Sequence, residues 1–160
     1  MVIINLTFMD KKMYAKWGNE TTIKMLHAIL ANTYVLYTKL WMFHVNYVWV
    51  DFDTKHPLLG DYKDQLWEQI DSLAEQVRKL CGTSQFSLNE FLSWSILKDV
   101  PWMQVTIRNL AEILSDFEML DTWITKAIDA TCEDLITQNL LIDIRWSHDK
   151  IKWFLRSILG

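Results

Sequence analysis

The sequence predicts an all-α fold: four long helices joined by few turns, with a short extra helix in the connection between the second and the third. Three observations carry this expectation. Only four Gly and two Pro interrupt 160 residues, too few turn formers for a sandwich or barrel. Hydrophobic residues make up 51% of the chain and nine Trp are present, ample for one large core and unlike a disordered chain. Apolar positions also recur at steps of three and four over stretches of about 25 residues, each roughly 37 Å of helix.

Residues 1–20 read as a leader of mixed character, and residues 21–160 as the helical domain. Asn19 is a plausible N-cap for the first helix. Ile23, Leu26, Leu30, Tyr34, Tyr37, Trp41 and His44 form one stripe, and Met25, Ile29, Leu36, Leu40 and Phe43 a second. A helix that is apolar on two sides is buried on two sides, and in a chain this short the second side is expected to meet another subunit. A turn is expected over 47–55, then a second helix from near His56 to Cys81 with Pro57 in its first turn and Gly82 as its stop. Leu59, Tyr62, Leu66, Ile70, Leu73, Val77 and Leu80 line its inner face; Asp64, Glu68, Asp71, Glu75 and Lys79 line another.

Ser87-Leu88-Asn89-Glu90 is a capping box that opens a short helix to about Ile96. The third long helix is expected from Asp99 to Thr131, with Val105, Leu110, Ile113, Phe117, Leu120 and Ile128 inward. The fourth is expected from Asp134 to Ile158, with Leu140, Ile144, Ile151, Leu155 and Ile158 inward. The link between the second and third long helices can return along the bundle, which gives the ferritin-like arrangement of a four-helix bundle with one long crossover. The tryptophans are expected mostly in the core.

Composition excludes several classes. Sixteen Lys and Arg against 20 Asp and Glu give a net charge of −4, unlike a typical nucleic-acid binder. The leader carries Lys11, Lys12 and Lys16 against Asp10 and Glu20, so DNA binding is expected to be weak or absent. The start lacks the features of a signal peptide, no stretch is long and apolar enough to span a membrane, and two Cys make no disulfide framework. A soluble cytoplasmic protein is the expectation.

Chemistry rests on few residues. Of four His, His27 and His148 read as structural or exposed. The Glu-x-x-His pattern of di-iron bundles is absent, which disfavours a metal site inside one bundle. His44 and His56 flank one turn and can meet. Asp71 and Glu75 share a helix face, but Asp71 lies about 22 Å down the helix from His56. One ion can join the two pairs only if two copies pack antiparallel about a two-fold axis. Two His with two or three carboxylates then suit non-haem iron. On the residue pattern alone, a solvated acidic face remains the simpler reading of Asp71 and Glu75.

The segment Val35-Leu-Tyr-Thr-Lys-Leu-Trp-Met-Phe-His-Val-Asn46 resembles the first helix of the Dps family, the mini-ferritins, which reads Leu-Tyr-x-Lys-x-x-x-x-His-Trp-Asn. The family's second His is matched by His56, and its Asp-x-x-Ala-Glu-Arg motif by Asp71-Ser-Leu-Ala-Glu75-Gln76. Lys152-Trp-Phe-Leu-Arg156 is similar to its Trp-x-Leu-Arg. The resemblance implies a shell of twelve identical subunits that oxidises ferrous iron, preferably with hydrogen peroxide, and stores ferric mineral. It implies ferroxidase sites at two-fold interfaces, with His44 and His56 from one subunit and Asp71 and Glu75 from its neighbour.

Four positions depart from the pattern: Gly60 replaces a carboxylate, Val45 the Trp, Gln76 the Arg, and Asn139 the Asp of the iron-entry pore. Asp61 is a substitute ligand only if Pro57 and Gly60 loosen the first turn, because one residue rotates the side chain by about 100°. A ferroxidase store is therefore one expectation. A Dps-like shell with weakened iron chemistry, protecting by assembly or DNA association, is another. An unrelated bundle that binds a partner protein is a third, and it explains none of the spacings.

Overall fold

A computed structural model describes residues 20–84, 87–99 and 106–160. It contains α1 (Glu20–Val45), α2 (Phe52–Lys79), α3 (Leu88–Trp94), α4 (Ile107–Ala130) and α5 (Leu135–Leu159), with no strand among the described residues. The expected four long helices and the short crossover helix are all present. The N-cap expected at Asn19, the leader's lysines and the core position Val105 lie outside the described residues.

Two antiparallel hairpins, α1–α2 and α4–α5, pack on each other, mainly through α1 against α4. Buried ends fix the directions. Lys39, late in α1, reaches Asp116 (2.6 Å) and Glu112 (3.1 Å), early in α4. Gln76, late in α2, donates to Thr137, early in α5, at 2.8 Å. Thus α4 runs parallel to α2, and the crossover has returned the chain along the bundle. The core is built from Leu26, Leu36, Leu40 and Phe43 on α1, Leu59, Leu66 and Leu73 on α2, Ile113 and Phe117 on α4, and Ile151 and Leu155 on α5.

Local chemistry sets the ends. Ser87 and Glu90 form the expected capping box, at 3.2 and 2.7 Å. The buried Asn32 of α1 then pins the far end of α3, its Oδ1 accepting from the N–H groups of Ile96 (2.9 Å) and Leu97 (3.1 Å). Asp134 caps α5 by accepting from the Thr137 N–H at 3.1 Å.

Three helix ends differ from expectation. α2 starts at Phe52, not His56: the carbonyl of Asp51 accepts from Thr54 and Lys55, so a turn forms before the His is reached. Pro57 therefore sits beyond the first turn, where it removes one helix hydrogen bond. α4 begins at Ile107 rather than Asp99, because Thr106 precedes it as a cap whose N–H is bonded by Asn109 Oδ1 at 2.7 Å. At the end of α2 the left-handed residue is Cys81, φ 61°, and Gly82 is needed for space instead. A Cβ there would lie 2.9 Å from Val77 Cγ1 and 3.0 Å from its carbonyl oxygen.

The tryptophans correct a further expectation. Trp41, Trp67, Trp94, Trp123, Trp146 and Trp153 are all exposed in the single chain, by 36–71%. Trp41 lies on the first of the two apolar stripes of α1 and faces out, although Leu26 and Leu30 of that stripe are buried together with Leu36, Leu40 and Phe43 of the second.

Candidate metal centre

The turn between α1 and α2 is tightly built. The Tyr47 hydroxyl donates to Asp51 Oδ1 at 2.6 Å, and burial with that carboxylate pushes the phenol up to about 12. Trp49 packs on Tyr47 and Phe43, with ring centroids 4.6 and 6.0 Å apart. This turn brings His44, in the last turn of α1, onto His56 of α2.

The two imidazoles stack with centroids 3.9 Å apart and planes at 24°. Phe52 extends the stack beyond His56, at 4.6 Å. Each Nδ1 lies against the other residue's main-chain carbonyl: His44 Nδ1 at 2.9 Å from the His56 oxygen, and His56 Nδ1 at 3.0 Å from the His44 oxygen. A carbonyl only accepts, so each Nδ1 carries the proton and each Nε2 keeps its lone pair. A ring oriented through Nδ1–H with Nε2 open is the form in which His binds a metal. Burial lowers the His44 pKa and so favours the neutral ligand form, against the hydrogen bond to the His56 carbonyl, which acts to raise it.

Gly60 faces this pair. A Cβ built on it would lie 3.1 Å from His44 Cε1 and 3.8 Å from Nε2. A side chain here would press on the edge of the His44 ring, and His44 would have to yield by a few tenths of an ångström. Asp61, one residue on, is exposed.

Asp71 and Glu75 lie further along α2, both exposed, with Glu75 bound to Lys79 at 3.1 Å. The chain does not bring them to the histidines: among the described residues no group of three or more His, Cys, Asp or Glu could hold a metal ion. The histidine pair and the carboxylate pair form two half-sites, turned toward one side of α2 by helical phase. Trp67 stands between them on α2, packed on Tyr37 with centroids 5.6 Å apart, and Tyr37 packs on Trp41 at 6.2 Å. The donors fit a divalent cation in kind, two open imidazole nitrogens and two carboxylates, split over two places on one chain.

The buried histidine of the bundle interior is already engaged. Asp121, between α4 and α5, is bonded by Lys152 and by His148 Nδ1 (2.9 Å), with Arg145 Nε at 3.1 Å. His148 Nε2 lies 2.9 Å from Gln69 Oε1 of α2. Both nitrogens of this buried His are used, which confirms its structural reading.

Sequence reasoning missed the carbonyl clasp of the His pair, which has no side-chain signature. No described helix is long and apolar enough to cross a membrane.

The chain matches the Ferritin-like domain over residues 23–160. It is 30% identical to antigen TpF1 of Treponema pallidum over 139 residues, covering 85% of this chain and 78% of that one. It is 26% identical to DNA protection during starvation protein 2 of Bacillus anthracis, covering 89% of this chain and 99% of that one. The crystal structure of TpF1 superposes with a TM-score of 0.83 at 27% identity, over 88% of this chain and 92% of that one. Dps from Staphylococcus aureus gives 0.82 at 26% identity, over 89% and 97%. With its fold, its helix order and these relatives in agreement, this chain belongs to the Dps family of ferritin-like proteins.

Proposed function

We propose that this protein is a mini-ferritin that binds and oxidises ferrous iron at sites shared between two subunits and stores the ferric product inside a closed shell. The observation that carries the reading is the clasped His44–His56 pair, with both Nδ1 atoms tied to carbonyls and both Nε2 atoms open. A cytoplasmic dodecamer of roughly 230 kDa, twelve copies of the chain, accounts for the exposed aromatic surfaces. In it, His44 and His56 of one subunit face Asp71 and Glu75 of a two-fold neighbour. The antiparallel packing this needs is supported by the placement of both half-sites on one face of α1 and α2.

Iron is the substrate. Two ferrous ions each give one electron to hydrogen peroxide, whose O–O bond breaks to two hydroxides. Removing both reagents together prevents hydroxyl-radical formation. The chain's own groups do four things in this scheme. His44 and His56 present fixed neutral nitrogens. Asp71 serves the ion at His44. Glu75 bridges, and the aromatic surface excludes water. Gly60 leaves the shared site short of one carboxylate, so one ion is held well and the second weakly. Asp61 is exposed and turned from the pair, which argues against it as the replacement.

The test is ferrous oxidation by the assembled protein, with peroxide and with oxygen. H44A and E75Q are expected to lose the activity while retaining the assembly. A monomer or dimer by light scattering at micromolar concentration, or full activity in both variants, refutes the reading. DNA binding in this scheme is weak and steeply salt-dependent.

A further inference from the structure

We propose that Tyr47 and Asp51 are positioning residues for the histidine pair: their side-chain hydrogen bond closes the α1–α2 turn so that each imidazole meets the other's main-chain carbonyl in a single tautomer. Their purpose rests on the shared-site reading above, whereas their placement is a property of one chain.

The clasp needs a fixed height between two helix ends. Helix α1 ends at Val45, so its last carbonyls have no partner further along the helix. The carbonyl of His44 is one of these. It accepts from the Tyr47 N–H at 3.4 Å and from His56 Nδ1 at 3.0 Å. His56 thus caps the end of α1 from the neighbouring helix. Ring stacking alone does not hold that contact, because stacked rings tolerate sliding over an ångström or more, whereas a hydrogen bond weakens within a few tenths.

Tyr47 and Asp51 supply the missing constraint. Phe43 is fully buried in the core, and the Tyr47 ring lies 5.9 Å from it, itself only 5% exposed. From this anchored ring the hydroxyl donates to Asp51 Oδ1 at 2.6 Å. The main-chain carbonyl of the same Asp51 accepts from the N–H groups of Thr54 (3.2 Å) and Lys55 (2.9 Å), which opens α2. One residue therefore grips the core-anchored ring with its side chain and starts the helix that carries His56 with its backbone. His56 follows five residues later, about 7.5 Å up the helix.

The use of the Asp51 carboxylate singles the pair out. An aspartate at an N-cap ordinarily spends its carboxylate on the N–H groups of its own helix. Asp51 makes no such bond and turns its carboxylate to Tyr47 instead. The cap gives up its usual partner and ties the two helices together. With this bond in place, both Nδ1–H groups are committed to carbonyls and both Nε2 atoms stay open. Without it, the first turn of α2 shifts, the carbonyl contacts lengthen, and each neutral ring is free to carry its proton on Nε2, the nitrogen that a metal needs.

The experiment is nitrogen NMR of the assembled protein labelled in histidine, at neutral pH and without metal, beside a calorimetric Co2+ titration of the same samples. The parent is expected to show His44 and His56 in the Nδ1–H form alone. Y47F keeps the ring packing and removes only the hydroxyl, and D51A removes its acceptor. Both should add Nε2–H signals for the pair and weaken Co2+ binding by about 10-fold. D51N offers an amide oxygen to the hydroxyl and should match the parent. Q69L, which loosens the interior instead, should leave both tautomers as in the parent, and so separates lost positioning from lost stability. Parent-like tautomers in Y47F and D51A, or the same new signals in Q69L, overturn the role of the pair. If Y47F and D51A gain the Nε2–H form while Co2+ binding is unmoved, the positioning stands and the shared-site reading fails.

Discussion

Two clusters built around histidine differ in burial and in the number of ring nitrogens left open. In the bundle interior His148 is fully buried and both ring nitrogens are engaged, one by Asp121 and one by Gln69. At the α1–α2 turn, His44 and His56 each spend one nitrogen on a carbonyl and hold the other free. Burial makes an unmet polar atom costly, so an interior cluster must close on itself. A half-exposed cluster is under no such demand, and its remaining valence is available to a ligand. The same residue type is thus structural in one place and a candidate ligand in the other.

The largest expected effect lies in the interior. Replacing Asp121 by Ala strands Lys152, Arg145 and His148 without their shared carboxylate. It should cost about 3–5 kcal/mol, the range for breaking a buried ion pair by removing one partner. Thermal unfolding measures this, and a shift no larger than that of a surface mutation would break the contrast between the clusters. Gln69→Leu comes next. It leaves His148 Nε2 and Ser147 without Gln69, at 2.9 and 3.3 Å in the parent. The expected cost is about 1–3 kcal/mol, that of one buried unsatisfied polar group.

The surface pair should behave in the opposite way. His44→Ala removes one clasp hydrogen bond and should cost only about 0.5–1.5 kcal/mol, yet it should abolish metal binding and ferrous oxidation by the assembled protein. A large loss of stability with metal binding intact would reverse the roles assigned to the clusters.

The smallest effect concerns Asp149, at the rim of the interior cluster. The Lys152 ammonium, 2.7 Å away, holds its carboxyl below the usual 3.8. A depressed carboxyl adds stability above the unfolded value and loses it as pH falls through the folded value. Asp149→Asn should therefore lower the melting temperature slightly at pH 7, and the difference from the parent should vanish in acid below both values. A difference that persists there would mean that the mutation acts by something other than charge.

Much of this was legible in the residues. Apolar spacing along a helix depends only on its period, so the inner faces of α2 and α5 could be read directly. Leu59, Leu66, Leu73, Ile144, Ile151 and Leu155 are buried as expected. The Ser87–Glu90 box was legible because a cap is a local motif. Helix starts were less so: Pro57 pointed to a boundary, but the carbonyl of Asp51 opens α2 a turn and a half earlier. The exposed Trp41 and Trp67 show a different limit, because a stripe can be apolar for a neighbouring chain as well as for its own core.

Of the candidate site, the sequence by itself determined which residues could bind, and that His44 and His56 could meet while Asp71 and Glu75 could not join them within one chain. These conclusions follow from covalent distance and helical rise, which no packing can change. Tertiary structure alone decided that Gly60 meets the His44 imidazole and which nitrogen of each His is spent on a carbonyl. Those outcomes depend on how the ends of α1 and α2 pack across a turn. Ring orientation there is set by main-chain oxygens, and main-chain oxygens are the same whatever the sequence.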